Sequence, residues 1–184
     1  MARAGEVLEN PATGERLTFL RTAAETGGEV LEYDLEFVPR GFTARDHLHP
    51  RQEERHEVLD GRLAIVVAGR ERRLGPGDAE VVPAGTPHRL FPLEDRPVRA
   101  RFALRPALET EALLETLFGL ARDGKVGKRG EPNLLRLAVI SREFSELGRP
   151  TRPSPGVQRV LLAPLAAVGR LLGYRARYAE EGRR

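Results

Sequence analysis

Between Arg16 and Leu104 apolar side chains recur at every second position, in short runs cut off by glycine and proline. A period of two places alternate side chains on opposite faces of an extended strand. In EVLEYDLEF, residues 29–37, Leu31, Tyr33, Leu35 and Phe37 share one face, and Glu32, Asp34 and Glu36 the other. In VRARFAL, residues 98–104, Val98, Ala100, Phe102 and Leu104 oppose Arg99 and Arg101, with Arg105 next in phase. These outward acids and arginines are expected to be solvated or paired across strands. Between the two runs lie RLAIVVAG, GDAEVVPAG and HRLFPLED, each bounded by turn residues. Many short strands at regular spacing, without βαβ alternation, predict a mainly β fold of sandwich or barrel type.

After Pro106 the period becomes helical. ALETEALLETLFGLARDG aligns Leu113, Leu117, Leu120 and Ala121 on one stripe and ends at Gly124. EPNLLRLAVISREFSELG predicts a second helix with Pro132 near its start and Gly148 at its end. RPTRPSPG, residues 149–156, reads as a stiff linker. VQRVLLAPLAAVGRLLGY predicts a third helix, kinked or restarted near Pro164. The expected organisation is a β domain over residues 1–105 and an extension of about three helices over 106–184.

Composition narrows the chemistry. The chain has 184 residues and no cysteine, so disulfides, thiolate nucleophiles and zinc fingers are excluded. Any metal must be held by nitrogen and oxygen. Arginine supplies 28 of the 30 basic residues, yet the formal net charge is only +3. Residues 1–105 carry 16 basic and 18 acidic side chains, whereas 106–184 carry 14 and 9. Scattered arginines with few aromatics point away from nucleic acid. The longest uncharged run of the helical part, VLLAPLAAVG, is about half the length that spans a bilayer. No apolar leader is visible, so a cytoplasmic location is expected.

Three of the four histidines lie in DHLHPRQEERHEVLDG, Asp46 to Gly61. In strand phase Arg45, His47 and His49 point one way, and Phe42, Ala44 and Leu48 the other. A turn through PRQE leads to a second strand on which Glu54, His56 and Val58 share a face. A hairpin of these strands would gather His47, His49 and Glu54, with His56 close by. Two imidazoles and a carboxylate suit Fe(II) or a similar divalent ion. GDAEVVPAGTPHRL then delivers His88 after a Pro/Gly turn. Glu53 competes with Glu54, but strand phase and the spacing to Gly61 favour Glu54. His56 can orient a ligand, serve as a general acid or base near neutral pH, or sit half-exposed at the mouth of the fold. Arg45 can grip a substrate carboxylate with both guanidinium nitrogens or pair with Glu53.

These residues resemble the cupin superfamily. Its first motif, G-x5-H-x-H-x3,4-E-x6-G, is matched by Gly41, His47, His49, Glu54 and Gly61. Its second, G-x5-P-x-G-x2-H-x3-N, is matched by Gly77, Pro83, Gly85 and His88, with Pro92 in place of the closing Asn. The resemblance implies a small jelly-roll barrel whose inward ligands His47, His49, Glu54 and His88 surround one divalent metal. Fe(II) or Mn(II) is favoured, and Zn(II), Ni(II) or Cu(II) can replace them. It also implies a small-molecule substrate and, with His56 and Arg45 as catalytic candidates, an enzyme of dioxygenase, isomerase or decarboxylase type. The other reading is a ligand-binding module without catalysis, the helices serving assembly or signalling. The helical stripes are expected to pack outside the barrel or bury a homodimer interface. Alternatively, the Arg-flanked last helix lies on an anionic membrane surface.

Overall fold

A computed structural model describes residues 2–38 and 46–178. Ten strands precede the helices: β1 (Val7–Asn10), β2 (Glu15–Arg21), β3 (Leu31–Phe37), β4 (His47–Leu48), β5 (Glu53–Asp60), β6 (Leu63–Val67), β7 (Arg70–Leu74), β8 (Ala79–Val82), β9 (His88–Pro92) and β10 (Val98–Arg105). They are followed by α1 (Thr110–Arg122), α2 (Leu134–Glu143), β11 (Arg149–Pro150) and α3 (Pro155–Leu171). Six strands form one antiparallel sheet in the order β1-β2-β3-β10-β5-β8, and five form a second in the order β11-β4-β9-β6-β7. The jelly roll is therefore two facing sheets, and among the described residues no strand pairing closes them into a barrel.

The two-residue alternation explains how the sheets meet. Leu31, Tyr33 and Phe37 of β3 are buried, as are Val98, Ala100, Phe102 and Leu104 of β10. They join Leu17, Phe19 and Val58 of their own sheet and Leu63, Ile65, Leu74 and Leu90 of the opposite one in a single core. Side chains from two inner faces thus form the interior of a sandwich. On the outer face Arg101 of β10 stands opposite Asp34 of β3 and donates to both its carboxylate oxygens, at 2.8 and 3.3 Å. At the Asp60–Gly61 turn a side chain would not fit. Gly61 has φ +80°, and a Cβ there would lie 2.9 Å from Val98 Cγ2.

Several local expectations are corrected. The segments carrying His47 and Glu54 do not pair as a hairpin: β4 bonds to β9 and β11, and β5 bonds to β10 and β8. The PRQE stretch crosses between sheets, because β5 finds longer partners in β10 and β8 than the two residues of β4 provide. The strand β7, RERRL, has four exposed charged residues and only Leu74 buried, so its alternation is hidden. The supposed linker after Gly148 contributes β11, which pairs Arg149 with Leu48 and Pro150 with His47. The third helix runs unbroken through Pro164.

The helices pack in series. Leu120 of α1 meets Ile140 of α2 together with Phe144 and Leu147 beyond it. Ala138 and Val139 of α2 meet Ala166 of α3, with Ala176 beyond it. Phe118 of α1 reaches the sandwich core. Small residues set the α2–α3 spacing: a Cβ on Gly169 would lie 2.8 Å from Val139 Cγ2 and 2.9 Å from the Leu135 carbonyl oxygen. Gly169→Ala is accordingly expected to destabilise the protein by about 1–2 kcal/mol, overpacking outweighing the gain of about 1 kcal/mol in helix propensity. Urea unfolding checks this, and a Gly169→Ala protein more stable than the parent would contradict the close approach.

Candidate metal centre

The candidate ligands come from both sheets. His47 on β4 stands directly opposite His88, the first residue of β9, and His49 follows two residues after His47. Glu54 projects from β5 in the facing sheet, on the same inward face as His56 and Val58. Strand phase thus sorts the carboxylates as the sequence predicts: Glu54 is buried and Glu53 exposed. His88 is buried, while His47 and His49 are half-buried. The imidazole rings form a tight group, with centroids 4.3 Å apart for His47–His88, 5.1 Å for His47–His49 and 5.3 Å for His49–His88.

Glu54 Oε2 lies at the focus, 2.9 Å from His88 Nε2 and 3.2 Å from His49 Nε2. One ligand atom from each of His47, His49, Glu54 and His88 lies within 4.8 Å of the other three. Bonds of about 2.0–2.2 Å to a divalent ion place neighbouring ligand atoms roughly 3 Å apart, and these spacings suit one ion among them.

Proton positions strengthen the fit. His88 Nδ1 is 3.1 Å from the Thr86 carbonyl oxygen, and His49 Nδ1 contacts the Leu147 carbonyl oxygen. A carbonyl only accepts, so each Nδ1 carries the hydrogen and, in a neutral ring, Nε2 presents a lone pair. His88 Nε2 is also within hydrogen-bonding distance of Glu54 Oε2, at 2.9 Å, so both nitrogens of that ring face acceptors, an arrangement that needs positive charge from a second proton or a metal ion. His49 Nε2 is buried without a hydrogen-bond partner. Burial alone would raise the Glu54 carboxyl, but the charge of His56 and contacts from His49, His56 and His88 hold it well below the usual carboxylate range. Burial likewise opposes charge on His49, and the neighbouring Glu54 with the Leu147 carbonyl outweighs it and raises the imidazole. A single cation held by all four groups satisfies the same demand.

His56 is not at an exposed mouth. It is 1% exposed, with its ring edge-on to Phe102 at 4.9 Å and 5.9 Å from His88. Its Nε2 faces Glu54 Oε2 at 3.4 Å without hydrogen-bond alignment, and Nδ1 is also without a partner. Beneath it Phe102 stacks on Tyr33, whose phenol is pushed well above its ordinary value by burial and by the Glu54 charge. Arg45 and Gly41 lie outside the described residues. Sequence reasoning missed the Thr86 and Leu147 carbonyls, because a backbone acceptor carries no side-chain signature.

The cupin-domain family matches residues 33–104. A comparison with curated proteins found no match. Among solved structures, KdgF from Halomonas sp. is similar at 23% identity and a TM-score of 0.49, covering 56% of this chain and 91% of that one. An RmlC-like cupin from Shewanella frigidimarina is similar at 21% identity and a TM-score of 0.49, covering 60% and 92%. The DMSP lyase DddQ from Ruegeria pomeroyi shares 35% identity over 45% of this chain and 41% of its own, with a TM-score of 0.39. The family match runs from within β3 to the penultimate residue of β10, the stretch that supplies all four converging side chains, and identifies residues 33–104 as a cupin domain.

Proposed function

We propose that this chain is a metal-dependent cupin enzyme acting on a small molecule, of dioxygenase, isomerase or decarboxylase type. The observation that carries the reading is the convergence of His47, His49, Glu54 and His88, with a buried His49 Nε2 that no protein group satisfies. These four hold one divalent ion, Fe(II) or Mn(II) by preference, with Zn(II), Ni(II) or Cu(II) as substitutes. The ion supplies Lewis acidity and a template for the substrate. His56 takes or returns the substrate proton; its ring nitrogens are buried and uncommitted, 3.4 Å from Glu54 at the nearest. Arg45, four residues before His49, anchors a substrate carboxylate. The catalytic unit is residues 1–105 and the appendage residues 106–184.

The appendage also supports a homodimer. Along α3 the residues Val157, Val160, Leu161, Val168 and Leu171 fall at helical spacing on one exposed stripe, Leu171 being 87% exposed. Contiguous exposed apolar surface marks an interaction site. Among the described residues no helix is long and apolar enough to cross a membrane.

Purified protein is expected to contain one divalent ion per chain by elemental analysis. His49→Ala and Glu54→Ala are expected to lose it while keeping the circular dichroism of the parent; retention by both variants removes the site assignment. The Fe(II) form, incubated anaerobically with chelating diols, diketones and 2-hydroxy acids and then given oxygen, is expected to turn over at least one. His56→Gln should abolish that turnover while the metal stays bound. Silence across the panel favours the binding module. For the dimer, sedimentation should show two chains per particle, reduced to one by Val160→Glu with Leu171→Glu.

A further inference from the structure

We propose that the helical extension is a positioning part of the metal centre, its Leu147 carbonyl fixing the His49 imidazole in the tautomer that turns an Nε2 lone pair toward the site. This rests on the metal reading above and assigns the extension a role in it.

The two oriented imidazoles differ in where their support comes from. His88 Nδ1 is held by the Thr86 carbonyl of its own turn, 3.1 Å away and two residues earlier. His49 Nδ1 is held by Leu147, which lies 98 residues further along the chain and beyond the cupin match. The carbonyl cannot donate, so the contact requires hydrogen on Nδ1 and, in the neutral ring that binds a metal, leaves Nε2 bare. That bare atom is the one lying 3.2 Å from Glu54 Oε2. Without the contact, His49 is free to place its proton on Nε2 and donate it to Glu54, which removes both from metal binding.

The carbonyl is fixed from both sides. Upstream, the Leu147 side chain is buried with Leu120, Ile140 and Phe144, and its N–H donates to the Phe144 carbonyl at 3.0 Å. Downstream, Arg149 and Pro150 pair with Leu48 and His47, and the Thr151 N–H donates to the Asp46 carbonyl at 3.1 Å. Gln158 of α3 then clamps this strand, its Nε2 donating to the Pro150 and Pro153 carbonyls at 2.7 and 2.6 Å. Between the anchors, Gly148 runs against the His49 ring. A Cβ there would meet Cε1 and Nδ1 at 3.5 Å, ordinary contact for a methyl and too close for further branching.

That contact defines the test, made on the full chain. Gly148→Ala is expected to bind Mn(II) and Zn(II) close to the parent in competition with a chromophoric chelator. Gly148→Val, which pushes the ring off the carbonyl, is expected to weaken both by about tenfold or more, the usual cost of losing a ligand-orienting partner. Two-bond nitrogen–proton spectra of the metal-free proteins supply a readout that overall destabilisation does not mimic. With signals assigned by His49→Gln, the parent and Gly148→Ala should show His49 protonated on Nδ1, and Gly148→Val should lose that preference. Thermal unfolding of the metal-free variants confirms that each is folded; if Gly148→Val is not, the parent's tautomer decides. His49 bare at Nδ1 and protonated on Nε2 in the parent, or undiminished metal affinity in a folded Gly148→Val, overturns the inference and leaves the metal site standing. A parent that binds neither metal overturns the reading of the site and this inference together.

Discussion

The demand of closely packed buried acceptors for positive charge governs this structure. Glu54 is 5% exposed and faces the Nε2 atoms of His49 and His88, both of whose Nδ1 atoms are committed to carbonyls. A carboxylate and two such imidazole nitrogens cannot share a small buried volume unless protons or a metal ion sit among them. The surrounding fold can be understood as the framework that keeps these groups from swinging apart.

The framework is stiff because the groups belong to different sheets. Glu54 lies on β5, flanked by β10 and β8, whereas His47 and His88 face each other on β4 and β9. A shift of one sheet over the other would separate the carboxylate from the imidazoles, and the shared core of Phe19, Leu31, Val58, Leu63 and Ile65 resists such sliding. The stack of Tyr33 on Phe102, with rings 5.0 Å apart and parallel within 1°, and the His56 edge on Phe102 complete a floor under Glu54.

Strands β3 and β10 were legible because β3 alternates over all seven of its residues and β10 over Val98–Phe102, apolar on the core side and charged outside. The same phase rule picked Glu54 over Glu53 and turned His56 inward with it. Pairing partners were not legible. Proximity in sequence suggested a hairpin between the His47 and Glu54 segments, but ladder partners are chosen by competition among all strands, and β10 and β8 win β5. The strands β7 and β11 escaped because one is almost wholly charged and the other has two residues, one of them proline. Of the candidate site, the four converging side chains could be read from spacing. The Thr86 and Leu147 carbonyls could not, since every residue has a carbonyl and only the folded path decides which one meets a histidine.

The placement of β11 bears on how copies of this chain can meet. A sheet edge normally offers free backbone groups to any passing strand. Here the β4 side of the five-stranded sheet is occupied by a two-residue segment ending in Pro150, which has no N–H to extend the ladder, and the far side is β7 with its exposed Arg70, Arg72 and Arg73. Neither border invites a foreign strand, so fibril-like growth through this sheet is discouraged.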